Sequence, residues 1–102
     1  MATSQGLYLY DAKAHALTPV LAEDIRDLTG NQPFVGQAPV NLIYVADFSR
    51  MGGNSDAEKV FYSATDTGFV SQNVYLFCAS EGLHTVVRGS IDREGLAKAM
   101  GL

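Results

Sequence analysis

The run from Ser63 to Ser80 holds no proline and a single glycine, and it is too long for a strand, so it reads as a helix. Its second half is apolar on nearly every side. Phe69, Val70, Val74, Tyr75, Leu76, Phe77, Cys78 and Ala79 take up far more of the helix than the one stripe that a surface helix turns to its core. The expectation is a buried helix. Ala64, Gly68 and Ser71, at spacings of four and three, keep one face low enough for a second helix to approach, from this chain or another subunit.

Glu81-Gly82-Leu83 supplies the stop, with glycine suited to the left-handed turn and Leu83 placed to fold back on the last turn. Thr85-Val86-Val87 then reads as a strand. It runs straight into Arg88-Gly89-Ser90, where the missing side chain at 89 lets a ligand or a backbone come close.

At 102 residues and 47% apolar, the chain has material for a single domain with one ordinary core. A net charge of −4, with Lys and Arg scattered singly, leaves no basic stripe for a phosphate backbone, so nucleic acid is not an expected partner. The first residues have neither a basic nor an apolar leader region, and no span reaches ~18 consecutive apolar residues. A soluble, cytoplasmic protein with no membrane partner is expected. One cysteine makes no internal disulfide. Both ends read as cut: strand-like sequence starts almost at once, and the chain stops at Gly101-Leu102, where a helix meets its terminal glycine.

The rest of the chain reads in order as follows. Gly6-Leu-Tyr-Leu-Tyr-Asp11 alternates with a period of two, and Ala16-Leu-Thr-Pro-Val-Leu21 follows a polar turn, which predicts a hairpin. Pro19 has no N–H for a ladder and puts the second strand at an edge. Glu23 and Asp24 open a short helix with Ile25 and Leu28 inward and Gly30 at its close. Val40 to Ala46 is a near-continuous apolar run, the pattern of a central strand covered on both faces. A polar, glycine-rich connection over 47–56, mobile by composition, leads to the long helix. Asp92 is a good N-cap for a last helix over Arg93–Met100, with Leu96 and Met100 inward. The class is α+β.

The titratable residues offer no complete acid, base and nucleophile set. Cys78 and His84 are close in sequence, but Cys78 falls in the most apolar turn, where a thiolate is disfavoured and simple burial accounts for it. His15 and His84 have no second ligand at metal spacing. Asp47, Asp66 and Asp92 read as cap, helix-end charge or solvated surface. The amides of Gln72 and Asn73, on a helix expected to be buried, need partners in a neighbouring strand or subunit. Any catalysis would have to come through a cofactor.

Asp66-x-Gly68-x-x-x-Gln72-Asn-x-x-Leu76, then Glu81-Gly-Leu83, then a strand ending Arg88-Gly-Ser-Ile-Asp92, resembles the second half of the nitroreductase family of FMN-dependent oxidoreductases. The Gln37-Ala-Pro-Val40 strand start and the Leu-Tyr-Leu-Tyr-Asp hairpin are similar to the branch near the SagB-type dehydrogenases. The resemblance implies a three-layer α+β sandwich, with a mixed or antiparallel sheet flanked by helices and the long helix at a two-fold axis. It further implies a homodimer that shares two FMN sites, takes hydride from NAD(P)H and passes it to a nitro, quinone or similar small-molecule acceptor. Within it, Val87, Arg88, Gly89 and Ser90 form the turn facing the flavin ring, and the Gly89 N–H reaches flavin N5. The family's Arg- and Ser-containing phosphate segment, its Pro-Ser-x-x-Asn segment and its C-terminal Gly-x-Pro segment have no counterpart in these residues, so a partial domain over 1–102 is expected. The competing reading is a flavin-free dimerisation module built on the same fold.

Overall fold

A computed structural model describes residues 1–53 and 55–102. Asn54, within the connection expected over 47–56, lies outside the described residues. The chain forms two compact units, one of Met1–Ile43 with Arg88–Leu102 and the other of Tyr44–Val87.

The first unit holds an antiparallel sheet of β1 (Ala2–Thr3), β2 (Gly6–Asp11), β3 (Ala16–Leu21) and β4 (Val40–Asn41), in the order β3-β2-β1-β4. The expected hairpin is present, with Leu9 opposite Thr18 and Asp11 opposite Ala16. Its turn is set by the Asp11 carboxylate, which accepts from the Lys13 and Ala14 amides at 2.8 and 3.1 Å, and His15 takes a left-handed φ of 49°. Pro19 lies on β3 at the sheet edge, where no ladder donor is missed. Ala2, Leu7, Ile25 and Leu96 form the core, with Leu21, Ile43, Ile91 and Met100 packed around it. Leu96 comes from a short helix over Arg93–Ala99, whose N-cap Asp92 accepts from the Gly95 amide as its sequence predicts.

The second unit contains α1 (Asp56–Glu81); the short helix of the first unit is α2 (Arg93–Ala99). The Ser55 side chain caps α1 by accepting from the Glu58 amide, so the helix starts well before Ser63. It ends as the sequence predicts. Gly82 sits at φ 69° and ψ 25°, and the Leu83 amide returns to the Cys78 carbonyl at 2.8 Å, which satisfies an orphan acceptor of the last turn.

Four expectations are corrected. The strand over 40–46 exists only at Val40–Asn41, and it lies at an edge of the sheet, because the two residues of β1 are the whole ladder available to it. Residues 85–87 form no strand, since no ladder partner lies beside them among the described residues. Residues 26–29 form a 3-10 turn in place of a helix, and Leu28 points outward at 48% exposure while Ile25 is buried. Most importantly, α1 is not buried within this chain: Phe69, Leu76 and Phe77 are 69%, 60% and 59% exposed, and Ser71 and Cys78 are its buried residues. The helix propagates on its own hydrogen bonds and caps, whereas covering an all-round apolar surface takes neighbours that these residues do not supply.

Gly82→Ala puts a Cβ on a left-handed residue and is expected to cost about 1 kcal/mol, read as a loss of roughly 4–8 °C in the helical thermal midpoint. Gly82→Asn should cost less. An unchanged midpoint in both variants would show that the left-handed stop contributes nothing to the helix.

Candidate functional site

The return segment Arg88–Ser90 is pinned to the first unit at both ends. Asn41 on β4 is 3% exposed, and its carboxamide bonds at both ends: Nδ2 donates to the Val35 carbonyl at 2.9 Å, and Oδ1 accepts from Arg88 Nη2 at 2.6 Å. The second arm of the Arg88 fork, Nη1, donates to the Thr29 carbonyl at 3.3 Å. Gly30 is what lets it in, because a Cβ there would stand 2.7 Å from Arg88 Nη1. The guanidinium also lies 6.0 Å from the Phe34 ring centroid, at the outer range of a cation–π contact.

Two residues further on, Ser90 is held by Asn31 through paired bonds of 3.0 Å. The Asn31 amide donates to the Ser90 carbonyl, and its side-chain Nδ2 donates to Ser90 Oγ. Thr29, 3% exposed, is fixed in turn by its hydroxyl donating to the Arg26 carbonyl. Arg26 donates to Ala38 and forms an ion pair with Asp24 at 2.7 Å, whose carboxyl is held below its ordinary pKa chiefly by that side-chain bond.

Between the two anchors Gly89 is exposed, and no acceptor is bonded to its N–H among the described residues. Its φ is not positive, and a Cβ there would meet nothing within 4 Å. Nothing among the described residues therefore demands glycine at 89. The open space and the free donor lie on the same residue. Val87 belongs to the second unit, where its N–H donates to the Tyr75 hydroxyl at 2.8 Å.

The four residues singled out by resemblance therefore divide by role. Gly89 offers an open backbone donor, Ser90 and Val87 are tied through hydrogen bonds, and the Arg88 side chain is turned into its own unit. Asn31, Thr29 and Asn41 were missed. One signal for Asn41 was available: it is the lone amide in the apolar run from Val40 to Ala46, and a polar group there has to be paired if buried.

The other candidates are dispersed. Cys78 is buried and His84 exposed. Asp92 is a cap, and Asp47 accepts from the Ser49 hydroxyl at 2.6 Å, the first cause of its lowered pKa. Gln72 and Asn73 are exposed in the single chain, and their side chains make no hydrogen bond to a neighbouring strand among the described residues. No group of metal-ligating side chains occurs among the described residues, and among them no helix is long and apolar enough to cross a membrane.

A sequence model of the nitroreductase family matches residues 5–102. The chain belongs to the nitroreductase family. A protein of Methanocaldococcus jannaschii, named as a candidate nitroreductase, is 31% identical over 90 residues, which covers 84% of this chain and 46% of that relative. The chain thus spans about half the length of the curated relative it matches. The nitroreductase match includes both anchors and the residue between them.

Asn41→Leu keeps the volume but strands the Val35 carbonyl and one arm of the Arg88 fork. A cost of about 2–4 kcal/mol is expected, measured by denaturant unfolding. Asn31→Ala, at an exposed pair, should cost only about 0.5–1.5 kcal/mol. Equal costs for the two would show that Asn41 is not the buried junction described.

Proposed function

We propose that the protein is, or is part of, an FMN-dependent oxidoreductase that takes hydride from NADH or NADPH and reduces a nitro compound, a quinone or a similar small acceptor. Family membership supports the reaction class. The observation that carries the site is the exposed Gly89 N–H, a donor with no acceptor among the described residues and open space where a side chain would stand.

A flat ligand that presents an acceptor fits such a residue. In this reading Val87, Arg88, Gly89 and Ser90 form the segment that faces the flavin, and the Gly89 amide donates to N5. Bound FMN would supply the two-electron chemistry that the side chains lack. The chain's own part is to hold the donor at one place, so that no reorganisation is needed when charge changes on the acceptor atom. Arg88 has its fork committed to Asn41 and Thr29, so the phosphate is to be neutralised by other groups.

The exposed apolar surface of α1 supports a homodimer in which a second copy covers Phe69, Leu76 and Phe77. We place the working protein in the cytoplasm. The same surface also favours the competing reading, a flavin-free dimerisation module.

The test is to purify the protein, add FMN, remove the excess, and record the visible flavin spectrum together with light scattering after size exclusion. The proposal expects a dimer that retains flavin and bleaches anaerobically on addition of NADH or NADPH. A colourless dimer with no effect on flavin fluorescence would favour the module, and a colourless monomer would contradict both readings.

A further inference from the structure

We infer that Arg88 is a positioning residue, whose guanidinium, clasped by the Asn41 carboxamide and the Thr29 carbonyl, fixes the backbone of residues 88–90 so that the Gly89 N–H stays turned to a ligand. The inference rests on the reading of Gly89 as a ligand donor. It reassigns Arg88 from contacting the cofactor to holding the residue that does.

The geometry is that of a strut. The fork has two acceptors from different elements, Asn41 on β4 and Thr29 at the end of the 3-10 turn, at 2.6 and 3.3 Å. A lysine has a single point charge in place of that planar fork and does not reproduce both bonds in the same geometry. Asn41 is itself immobilised by its bond to Val35, so the clasp has a rigid base. Gly30 is open to the fork where any side chain would collide with it. On the far side of Gly89, the Asn31 pair to Ser90 closes the span.

The anchors flank Gly89 by one residue on either side, and this spacing leaves the peptide between them little freedom to rotate. No carboxylate pairs with Arg88 among the described residues.

The test uses the full chain, ¹⁵N-labelled, with amide exchange followed by NMR in wild type, Arg88→Met and Arg88→Lys. The Asn31 amide, which donates to Ser90, reports on the span. The Tyr8 amide, which donates to the Met1 carbonyl, reports on the sheet. Arg88→Met should speed exchange at Asn31 by about tenfold or more, while Tyr8 keeps its wild-type rate. Arg88→Lys should fall between the two.

Unchanged exchange at Asn31 in both variants would overturn the inference. So would equal acceleration of Asn31 and Tyr8 in both, because Arg88 would then support the whole unit and not this span. If Arg88→Met alone unfolds the chain, Arg88→Lys decides by the same two amides.

A second readout addresses the ligand. Addition of FMN to wild type should move the Gly89 amide resonance, and Arg88→Met should lose that shift while keeping the Tyr8 resonance in place. A wild-type protein with no FMN-induced shift at Gly89 removes the flavin reading, and the exchange data then judge the strut by themselves. A Gly89 shift of wild-type size in Arg88→Met would overturn the positioning role and leave the flavin reading standing.

Discussion

The bond between Arg88 and Asn41 joins residues 47 apart in sequence, and the candidate site depends on it. A carboxamide that is almost fully buried has to satisfy both its donor and its acceptor, and Asn41 does so with a loop carbonyl on one side and a guanidinium on the other. A charge-assisted bond is stronger than a neutral one, and leaving either partner unpaired costs more than the bond contributes. Three separate stretches meet there: the end of the 3-10 turn, β4 and the return segment. Moving any one of them exposes or strands the other two.

What was legible beforehand is what local chemistry decides. The hairpin follows from the alternation of Leu and Tyr over 6–11, the edge position from Pro19, the helix stop from Gly82 and the second helix start from Asp92. Each is settled within a few residues by a ladder, a cap or a backbone conformation. The misreadings concern partners that are distant or missing. An apolar run such as Val40–Ala46 is strand-like anywhere, but extended backbone becomes a strand only beside another, and here two residues of β1 are all that pair with it. β1 itself is too short to carry any alternation, and its importance lies in Ala2, which is fully buried between β2 and β4.

The same distinction applies to the site. The Arg88-Gly89-Ser90 motif is local, so the resemblance could name it from the sequence. It did not give the direction of the Arg88 side chain, which Asn41, Thr29 and the open space at Gly30 determine from elsewhere in the chain. Likewise, the apolar character of α1 was plain, whereas its cover is a matter of what lies beside it. Its exposed phenylalanines are surface that a helix can form without but that a working protein rarely leaves in water.

The central claim is that the span held by Arg88 and Asn31 presents the Gly89 amide to a flavin. Its most direct test is a crystal structure of the protein grown with FMN. The account predicts flavin N5 within about 3 Å of the Gly89 nitrogen, with the Arg88 fork still on Asn41 and Thr29. Flavin bound away from Gly89, or an Arg88 side chain swung out onto the cofactor, would contradict it.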